Sequence, residues 1–309
     1  MLVGCGRLDF DIAHGGSDGS TGDDDGNANG DATMSACTMW SAFNAPARIP
    51  EVGSAGTDDW GPFVGADGLT MYLFSNRTGS SNGSLDIWTA TRPTPSAAFS
   101  APVLEPNVNS IATERSPIMS SDGLTLWFES ARAGGMGLHD VYMSTRASVT
   151  QPFGTPVAYP ALSSPQDDFF ALPSSDALRM YLVSSRLGSL DIFVASRATA
   201  ADTFGTPMPI VELNSPQNER HIAMTADELE VFIDSDRTGS AGVDVYRATR
   251  PNRSSPFSTP QLVPELNSSM DEVAVSLSSD GSTLYYAYNA VTAGGDSEVW
   301  SATRTCLDP

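Results

Sequence analysis

A carboxylate stands eight residues before a turn aspartate at five places in this 309-residue chain. The five acids are Asp59, Glu114, Asp168, Glu219 and Glu272, and the turn aspartates that follow them are Asp67, Asp122, Asp176, Asp227 and Asp280. Further acids, Asp58, Asp167 and Asp271, adjoin three of them. Carboxylates gathered at one low-dielectric site bind cations or basic peptides, and some of them have raised pKa values. Two such acids about 5–10 Å apart can also hydrolyse a glycosidic bond.

The same acids have a structural interpretation, which the sequence leaves open. Arg77, Arg132, Arg186 and Arg237 follow the first four acids and could neutralise them. Each arginine also precedes an aspartate, and we expect these two residues to be coupled across a hairpin; the aspartates are Asp86, Asp140, Asp191 and Asp244. The fifth copy has Ala290 in place of the arginine. Glu272, with Asp271 beside it, is therefore expected to be the least neutralised acid.

The residue that follows each acid varies from copy to copy, and these residues are Trp60, Arg115, Phe169, Arg220 and Val273. Trp60 and Phe169 could stack on a sugar or a peptide if they face a binding site. They could equally fill the core between repeats. Arg115 and Arg220 could neutralise Glu114 and Glu219.

Motifs for nucleophilic, metal-dependent or phosphate chemistry are absent from the sequence. The chain has no G-x-S-x-G elbow, no H-E-x-x-H motif and no phosphate-binding loop. Its three histidines, His14, His139 and His221, follow no repeated pattern. We expect no cofactor. Calcium is the one ion that the Asp/Gly/Asn-rich N-terminus suggests, although its spacing does not fit an EF-hand loop.

The elements that carry these residues recur with a period of about 50 residues. The turn aspartates are 55, 54, 51 and 53 residues apart, and each copy ends with an arginine: Arg92, Arg146, Arg197, Arg250 and Arg304. Each copy reads as four short strands, with an Asp-Gly hairpin between the first two and a proline in the outermost. This pattern predicts an all-β, five-bladed β-propeller with four-stranded antiparallel blades. The acids begin the innermost strands, so we expect them to ring one mouth of the central channel.

The repeat resembles the WD-like β-propeller repeat of the TolB type. Ser-x-Asp-Gly, a strand, Ser-x-Arg and Asp-[Ile/Val]-aromatic appear in the second copy as SSDGLTLWF, SAR and HDVY. The first, third and fourth copies keep most of this pattern, and the resemblance covers residues 41 to 304. It implies the propeller fold and, by analogy, a protein partner in the cell envelope. It does not specify a function, because one fold serves many.

Composition limits the partners that the chain can have. The net charge is −21, and all 16 basic residues are arginines. Phosphate backbones and anionic lipid surfaces attract basic patches, so nucleic acid and electrostatic membrane binding are not expected. We expect a monomer whose contact with a membrane is limited to a lipid anchor.

The N-terminus predicts that anchor. Leu2-Val3-Gly4-Cys5 looks like a bacterial lipobox, in which a signal peptide is cleaved before a cysteine that is then lipidated. A chance match in a disordered N-terminus is the alternative. Residues 6–36 are rich in Gly, Ser and Asp and predict a flexible linker. We therefore divide the chain into a lipobox and linker (1–36), a propeller (37–306) and a tail (307–309), and place it at the bacterial cell envelope, periplasmic or outer-surface.

Both ends of the propeller are expected to build its last blade. The segment after Cys37 reads as an outermost strand, and the fifth copy has only three strands, so the N-terminal strand should complete it. Cys37 and Cys306 would then meet, and we predict a disulfide between them. Its loop entropy would stabilise the fold by roughly 4–5 kcal/mol, and it would require an oxidising compartment. Two free thiols are the alternative.

Together these features favour a non-catalytic lipoprotein of the cell envelope that binds or scaffolds a protein, peptide or glycan. Its expected site is the channel mouth, with Asp59, Glu114, Asp168, Glu219, Glu272, Asp271, Trp60 and Phe169. The alternative is a carbohydrate-active hydrolase that uses Asp59, Asp168 or Glu272. A calcium-stabilised propeller without any further ligand is a third possibility.

Overall fold

The computed structural model describes residues 37–53, 56–79, 85–289 and 296–308. Within these ranges 20 strands form five antiparallel sheets of four strands each, and there is no helix. Accordingly, no helix among these residues could cross a bilayer. The predicted lipobox with Cys5 and the predicted linker lie outside the described residues.

The five sheets are arranged as the blades of a propeller, which confirms the predicted fold class. The first strand of the chain, β1 (Ala47–Arg48), belongs to the last blade. Blade one contains β2 (Asp59–Val64), β3 (Thr70–Ser75), β4 (Asp86–Thr91) and β5 (Val103–Leu104). Blade two contains β6 (Glu114–Met119), β7 (Thr125–Ser130), β8 (Asp140–Thr145) and β9 (Val157–Ala158). Blade three contains β10 (Asp168–Pro173), β11 (Arg179–Ser184), β12 (Asp191–Ser196) and β13 (Met208–Pro209). Blade four contains β14 (Glu219–Met224), β15 (Glu230–Ser235), β16 (Asp244–Thr249) and β17 (Gln261–Leu262). Blade five contains β18 (Asp271–Leu277), β19 (Thr283–Asn289) and β20 (Ser297–Thr303), with β1 at its outer edge.

The hydrophobic core lies between neighbouring blades. The second strand of each blade is almost entirely buried because both of its faces are covered, and the strand residues of β3 after Thr70 are all buried. Tyr181, Phe193 and Phe232 are among the largest side chains that are fully buried. Packing of blade against blade therefore fixes the positions of the inner strands, which line the channel.

The turn between the first two strands is longer than the two-residue hairpin predicted from Asp-Gly. In blade one Gly65 N–H donates to Thr70 O, so the turn encloses four residues. Asp67 Oδ1 accepts a hydrogen bond from Leu69 N–H at 2.8 Å, and Gly68 has a φ of 67°. Four-residue hairpins of this kind are built around a type I turn. The aspartate therefore orders the turn through its side chain, and one left-handed residue is enough.

The last blade is closed by the N-terminal strand, as predicted. β1 pairs with β20, with Ala47 opposite Ser301. The Cys37–Cys306 disulfide joins Cα atoms 5.7 Å apart and spans 269 residues, which confirms the predicted pairing. In the other four blades the last arginine of the copy lies over a phenylalanine of its own blade, as Arg92 lies over Phe99. In blade five Phe43, from the N-terminal segment, provides this ring, and its centre lies 5.1 Å from the Arg304 guanidinium.

Candidate functional site

The repeated acid of blade three, Asp168, is held inside its blade by a serine and an arginine. Asp168 Oδ1 accepts hydrogen bonds from Ser184 Oγ and from Arg186 Nη2, each at 2.6 Å. Arg186 Nη2 also donates to Leu162 O at 2.7 Å, and the guanidinium lies 5.0 Å from the centre of the Phe193 ring. We call this set of acid, serine and arginine the clip.

Blades one, two and four contain the same clip. Its ion pairs there are Arg77–Asp59, Arg132–Glu114 at 3.0 Å and Arg237–Glu219 at 3.1 Å. All five repeated acids are at most 1% exposed. This geometry matches the structural interpretation of the acids, in which the arginine neutralises them. Their role as ligands of a cation stays a prediction.

The expected pairing of each clip arginine with the next aspartate is wrong. Among the described residues no ion pair joins these partners, because the guanidinium turns to the first-strand acid. Asp140 instead accepts hydrogen bonds from Met136 N–H at 2.9 Å and from Gly137 N–H at 3.0 Å. The aspartate after the hairpin therefore orders the loop that precedes it.

Blade five keeps the acid but loses the rest of the clip. Tyr288 lies opposite Glu272, where the other blades have serine, and the sequence has Ala290 where they have arginine. Glu272 accepts hydrogen bonds from Ser268 Oγ at 2.5 Å and from Ser268 N–H at 3.3 Å. Burial raises the pKa of Glu272 to about 7, and the carboxylates of Asp244 and Asp271 add to the shift. Among the described residues, then, Glu272 has no arginine partner.

A funnel of about 410 Å³ opens where the innermost strands begin. Its wall contains the residue that follows each repeated acid, and we call these five half-buried residues the mouth ring: Trp60, Arg115, Phe169, Arg220 and Val273. Aromatic and guanidinium groups therefore alternate around the wall from blade one to blade four. The acid points into its blade and its neighbour points into the channel, as the alternation of a strand requires. Trp60 and Phe169, both predicted as ligand contacts, lie here together.

Every innermost strand has a bulge at its mouth-ring residue or directly after it, which changes the direction of the next side chain. The pairing register shifts in all five blades at this point. In blade one the bulge residue is Gly61, with a φ of 60°, and a Cβ there would lie 2.5 Å from the Phe74 ring. In blades three and four Phe170 and His221 take this place, and their rings meet edge to face at 5.4 Å. Bulges often direct side chains into active sites in this way.

The bulge residues also narrow the channel. Below the funnel, Gly61, Ser116, Phe170, His221 and Ala274 surround a space of about 10 Å³. Gly61, Ser116 and Ala274 all have a positive φ. The funnel is therefore a cup with a floor, and a ligand would enter it from one side.

Two buried acids, Glu129 in the funnel wall and Asp234 beside His221, were missed by the sequence analysis. They occupy the same position of the second strand in blades two and four, where the other blades have Phe74, Val183 and Ala287. Glu129 is 2% exposed and Asp234 is 0% exposed. Alignment of the five second strands, position by position, would have found them as acids among apolar residues.

Glu129 lies beside Arg115 of the mouth ring. Arg115 Nε is 3.0 Å from Glu129 Oε1, although neither carboxylate oxygen has a well-directed hydrogen bond. Burial raises the pKa of Glu129, opposed by the charges of Arg115, His139 and His221. Arg115 Nη2 also meets His139 Nε2 at 2.6 Å, and His139 Nδ1 lies 3.0 Å from Asp167 Oδ1.

Asp234 lies beside the second funnel histidine. His221 Nδ1 is 2.9 Å from Asp234 Oδ2, which also accepts a hydrogen bond from Ala274 N–H at 3.0 Å. Among the described residues nothing hydrogen-bonds to His221 Nε2. A carboxylate can only accept, so Nδ1 carries a proton, and in the neutral imidazole Nε2 then presents a lone pair. The two histidines that the structure describes, His139 and His221, thus adjoin or line the funnel, although they lie far apart in the sequence.

The funnel side chains do not form a metal centre in this structure. Within the described ranges, the one group of ligand atoms close enough to hold an ion is Cys37, Cys306 and Asp308, and its sulfur atoms form the disulfide. The chemistry available in the funnel is therefore hydrogen bonding, stacking on Trp60 and Phe169, and proton transfer.

Comparison with solved structures finds a similar fold in glycoside hydrolases of two families. A family 117 glycoside hydrolase from the marine bacterium Zobellia galactanivorans superposes with a TM-score of 0.58 at 12% identity, covering 88% of this chain and 93% of that one. A thermostable family-43 glycoside hydrolase gives 0.56 at 13% identity, covering 84% and 92%. TolB from Acinetobacter baumannii gives 0.48 at 14% identity, and the chain spans 55% of that protein. At these identities the similarity establishes the fold alone.

Sequence comparison adds no family. No family model matches the chain. A search of curated proteins finds no significant match.

Proposed function

We propose that the protein is a glycan-binding propeller whose funnel holds one sugar residue. The observation that carries this proposal is the mouth ring, in which Trp60 and Phe169 alternate with Arg115 and Arg220 around a cup of about 410 Å³. Small-ligand sites combine an apolar wall with a few polar groups that fix the orientation of the ligand.

A sugar fits this wall because it has both kinds of surface. The C–H face of the ring packs on an aromatic side chain, and the hydroxyls pair with planar polar groups. Arg115 and Arg220 offer donors, and Asp236, which accepts a hydrogen bond from Arg220 Nη2 at 2.8 Å, holds the second guanidinium in place. A basic peptide would need exposed carboxylates, whereas the repeated acids are buried in their blades.

A glycan array tests the site. The labelled protein should bind a subset of glycans, and Trp60→Ala should weaken that binding by about 10-fold or more through loss of the stacking surface. The matched control is Val157→Ala, which removes an apolar side chain that is 51% exposed on the outer strand of blade two. Equal binding by Trp60→Ala and the parent protein would show that the funnel is not the glycan-binding site.

We also propose that the protein is an envelope lipoprotein, anchored through Cys5 and presented to protein or glycan partners as a monomer. The lipobox-like sequence supports this, and so does the Cys37–Cys306 disulfide, because disulfides persist in oxidising compartments. Intact mass of the protein expressed with a signal sequence would reveal a lipid adduct on Cys5. An unmodified Cys5 would contradict the anchor.

A carbohydrate-active hydrolase is the second candidate, and the buried acids Glu129 and Asp234 favour it. Asp59 and Asp168, which were expected to act in such an enzyme, are paired with arginines inside their blades. Glu272 is equally buried. We therefore take the candidate acids from the positions that depart from the repeat, Glu129 and Asp234.

A further inference from the structure

We propose that the funnel hydrolyses a terminal glycosidic bond, with Glu129 as the proton donor and His221 as the base that Asp234 orients. This inference rests on the proposed function, because the same funnel must first hold the sugar. It assigns a reaction to residues that the repeat itself does not use.

The fold has no need of these two acids. Blades one, three and five place Phe74, Val183 and Ala287 at the same strand position and have the same four-stranded structure. A buried carboxylate costs stability unless it is paired. Glu129 and Asp234 are nonetheless nine-tenths or more buried, and atoms of both lack hydrogen bonds.

The Asp234–His221 pair has the geometry of an oriented base. Asp234 Oδ2 is fixed from two sides, by His221 Nδ1 at 2.9 Å and by Ala274 N–H at 3.0 Å. This contact holds one tautomer of His221 and leaves Nε2 to accept a proton. A buried carboxylate that holds an imidazole in this way also stabilises the imidazolium once it forms.

Glu129 has the environment of a proton donor. Glu129 lines the same cup as His221, although both of its carboxyl oxygens are buried, and burial favours its protonated form by raising its pKa. The charged groups that face it are Arg115, His139 and His221, which oppose the shift, and Asp167, which adds to it. The acid and the base thus belong to blades two and four, which flank blade three, and both residues line the cup.

The reaction can then be written with each proton assigned. A water molecule gives a proton to His221 Nε2 as its oxygen bonds to the anomeric carbon. The bond from that carbon to the leaving oxygen breaks, and the Glu129 carboxyl transfers its proton to this oxygen. Solvent then carries the proton from the imidazolium back to the Glu129 carboxylate. The products are a free sugar and an alcohol, and water is the only co-reactant.

The floor of the funnel restricts the substrate to chain ends. Phe170 and His221 meet edge to face, and the space below them is about 10 Å³. A polysaccharide could not pass through, so the terminal sugar would occupy the cup and the rest of the chain would leave through the mouth. The activity should therefore be exo-acting.

The test uses 4-nitrophenyl glycosides of hexoses, pentoses and uronic acids in both anomeric forms, with the full chain. We expect release of nitrophenol from at least one of them. His221→Asn keeps a donor toward Asp234 but lacks Nε2, so it should lose about 100-fold or more in kcat. The matched control is Glu212→Gln, an exposed acid outside the funnel, which should retain full activity.

Glu129→Gln provides a readout that a structural role would not give. An acid catalyst matters most for a poor leaving group, so this variant should lose more activity on an oligosaccharide than on the nitrophenyl glycoside of the same sugar. Asp234→Asn should lower kcat with little change in KM. It should also move the limb of the pH–rate profile that reports the general base. Equal losses on both leaving groups would remove Glu129 as the donor.

Binding and turnover are measured on the same samples, with quenching of tryptophan fluorescence by the free sugars as the binding signal. Binding without release of nitrophenol from any glycoside overturns the hydrolase and leaves the glycan-binding proposal intact. If the protein shows no binding and no turnover, both proposals are overturned. Turnover that survives His221→Asn and Glu129→Gln in folded protein overturns the residue assignment.

Discussion

Asp168 in the clip and Glu129 in the funnel are both buried carboxylates, yet their surroundings differ. One Asp168 oxygen accepts hydrogen bonds from a serine hydroxyl and from a guanidinium, each at 2.6 Å. Glu129 has Arg115 at 3.0 Å, and neither of its oxygens has a well-directed hydrogen bond. The first acid occurs in every blade, and the second has a counterpart only in blade four. The repeated acid is therefore fully hydrogen-bonded within its blade, whereas the acid that departs from the repeat lacks hydrogen bonds.

The repeated acid of blade five, Glu272, is intermediate between Asp168 and Glu129 in its surroundings. It has lost the arginine, and burial raises the pKa of Glu272 to about 7. The acid is buried as deeply as those of the clips. Protonation can thus substitute for a missing countercharge, at the expense of stability at higher pH.

Breaking a clip should change the free energy of unfolding more than any other substitution considered for these acids. Arg186→Met leaves Asp168 buried without its countercharge and should lower the free energy of unfolding by about 3–5 kcal/mol. Urea denaturation at pH 7 measures the loss. The control, Arg48→Met, breaks a pair whose side chains are 42% and 32% exposed, and should cost about 1 kcal/mol or less. Similar losses in the two variants would show that the clip is no stronger than a surface pair.

A smaller effect of opposite sign is expected in blade five. The folded-state pKa of Glu272 lies above its unfolded value of 4.5, so the folded state holds its proton longer. This contribution to stability is complete below pH 4.5 and is lost as the pH rises to about 7. Glu272→Gln mimics the protonated acid and should stabilise the protein by about 2 kcal/mol at pH 8, with almost no effect at pH 4.

Thermal unfolding at the two pH values checks this result. The control is Glu219→Gln, the equivalent acid of blade four, which has its arginine at 3.1 Å. That variant should destabilise the protein at pH 8, because Arg237 loses its buried partner. If both substitutions act in the same direction, blade five does not differ from the others in the way that its missing arginine indicates.

Much of the fold could be predicted from the sequence because its signals are repeated. The turn aspartates and the terminal arginines recur five times, so the blade number and the closing strand followed from counting. For the clip arginine the sequence offered two partners: Arg132 could neutralise Glu114 or couple with Asp140, and it binds Glu114. Spacing along the chain cannot rank two carboxylates whose distance depends on the sheet.

The candidate site was predicted only in part. Trp60 and Phe169 were found because they stand next to the repeated acids, and strand alternation places them in the channel. Glu129 and Asp234 were missed because comparing copies for shared residues hides the positions that differ. The bulge adds a second obstacle, since it directs His221 to the funnel floor and cannot be read from strand alternation.

The smallest expected effect tests whether the funnel acids cost stability. Burial raises the pKa of Glu129, so its charge opposes folding above the unfolded value of 4.5. Glu129→Gln removes that charge, while Arg115 keeps its contact with His139 and is 28% exposed. The variant should therefore gain about 1 kcal/mol at pH 7, since the lost ion pair offsets part of the benefit.

The matched substitution in the clip is Asp168→Asn, measured by urea denaturation beside Glu129→Gln. It should lose stability, because Arg186 and Ser184 both depend on the Asp168 carboxylate. A gain at Glu129 and a loss at Asp168 would mean that one acid serves the fold and the other a reaction or a ligand. Losses of similar size at both positions would place Glu129 among the structural acids, because a residue retained for chemistry at the expense of stability should not stabilise the fold as strongly as a clip.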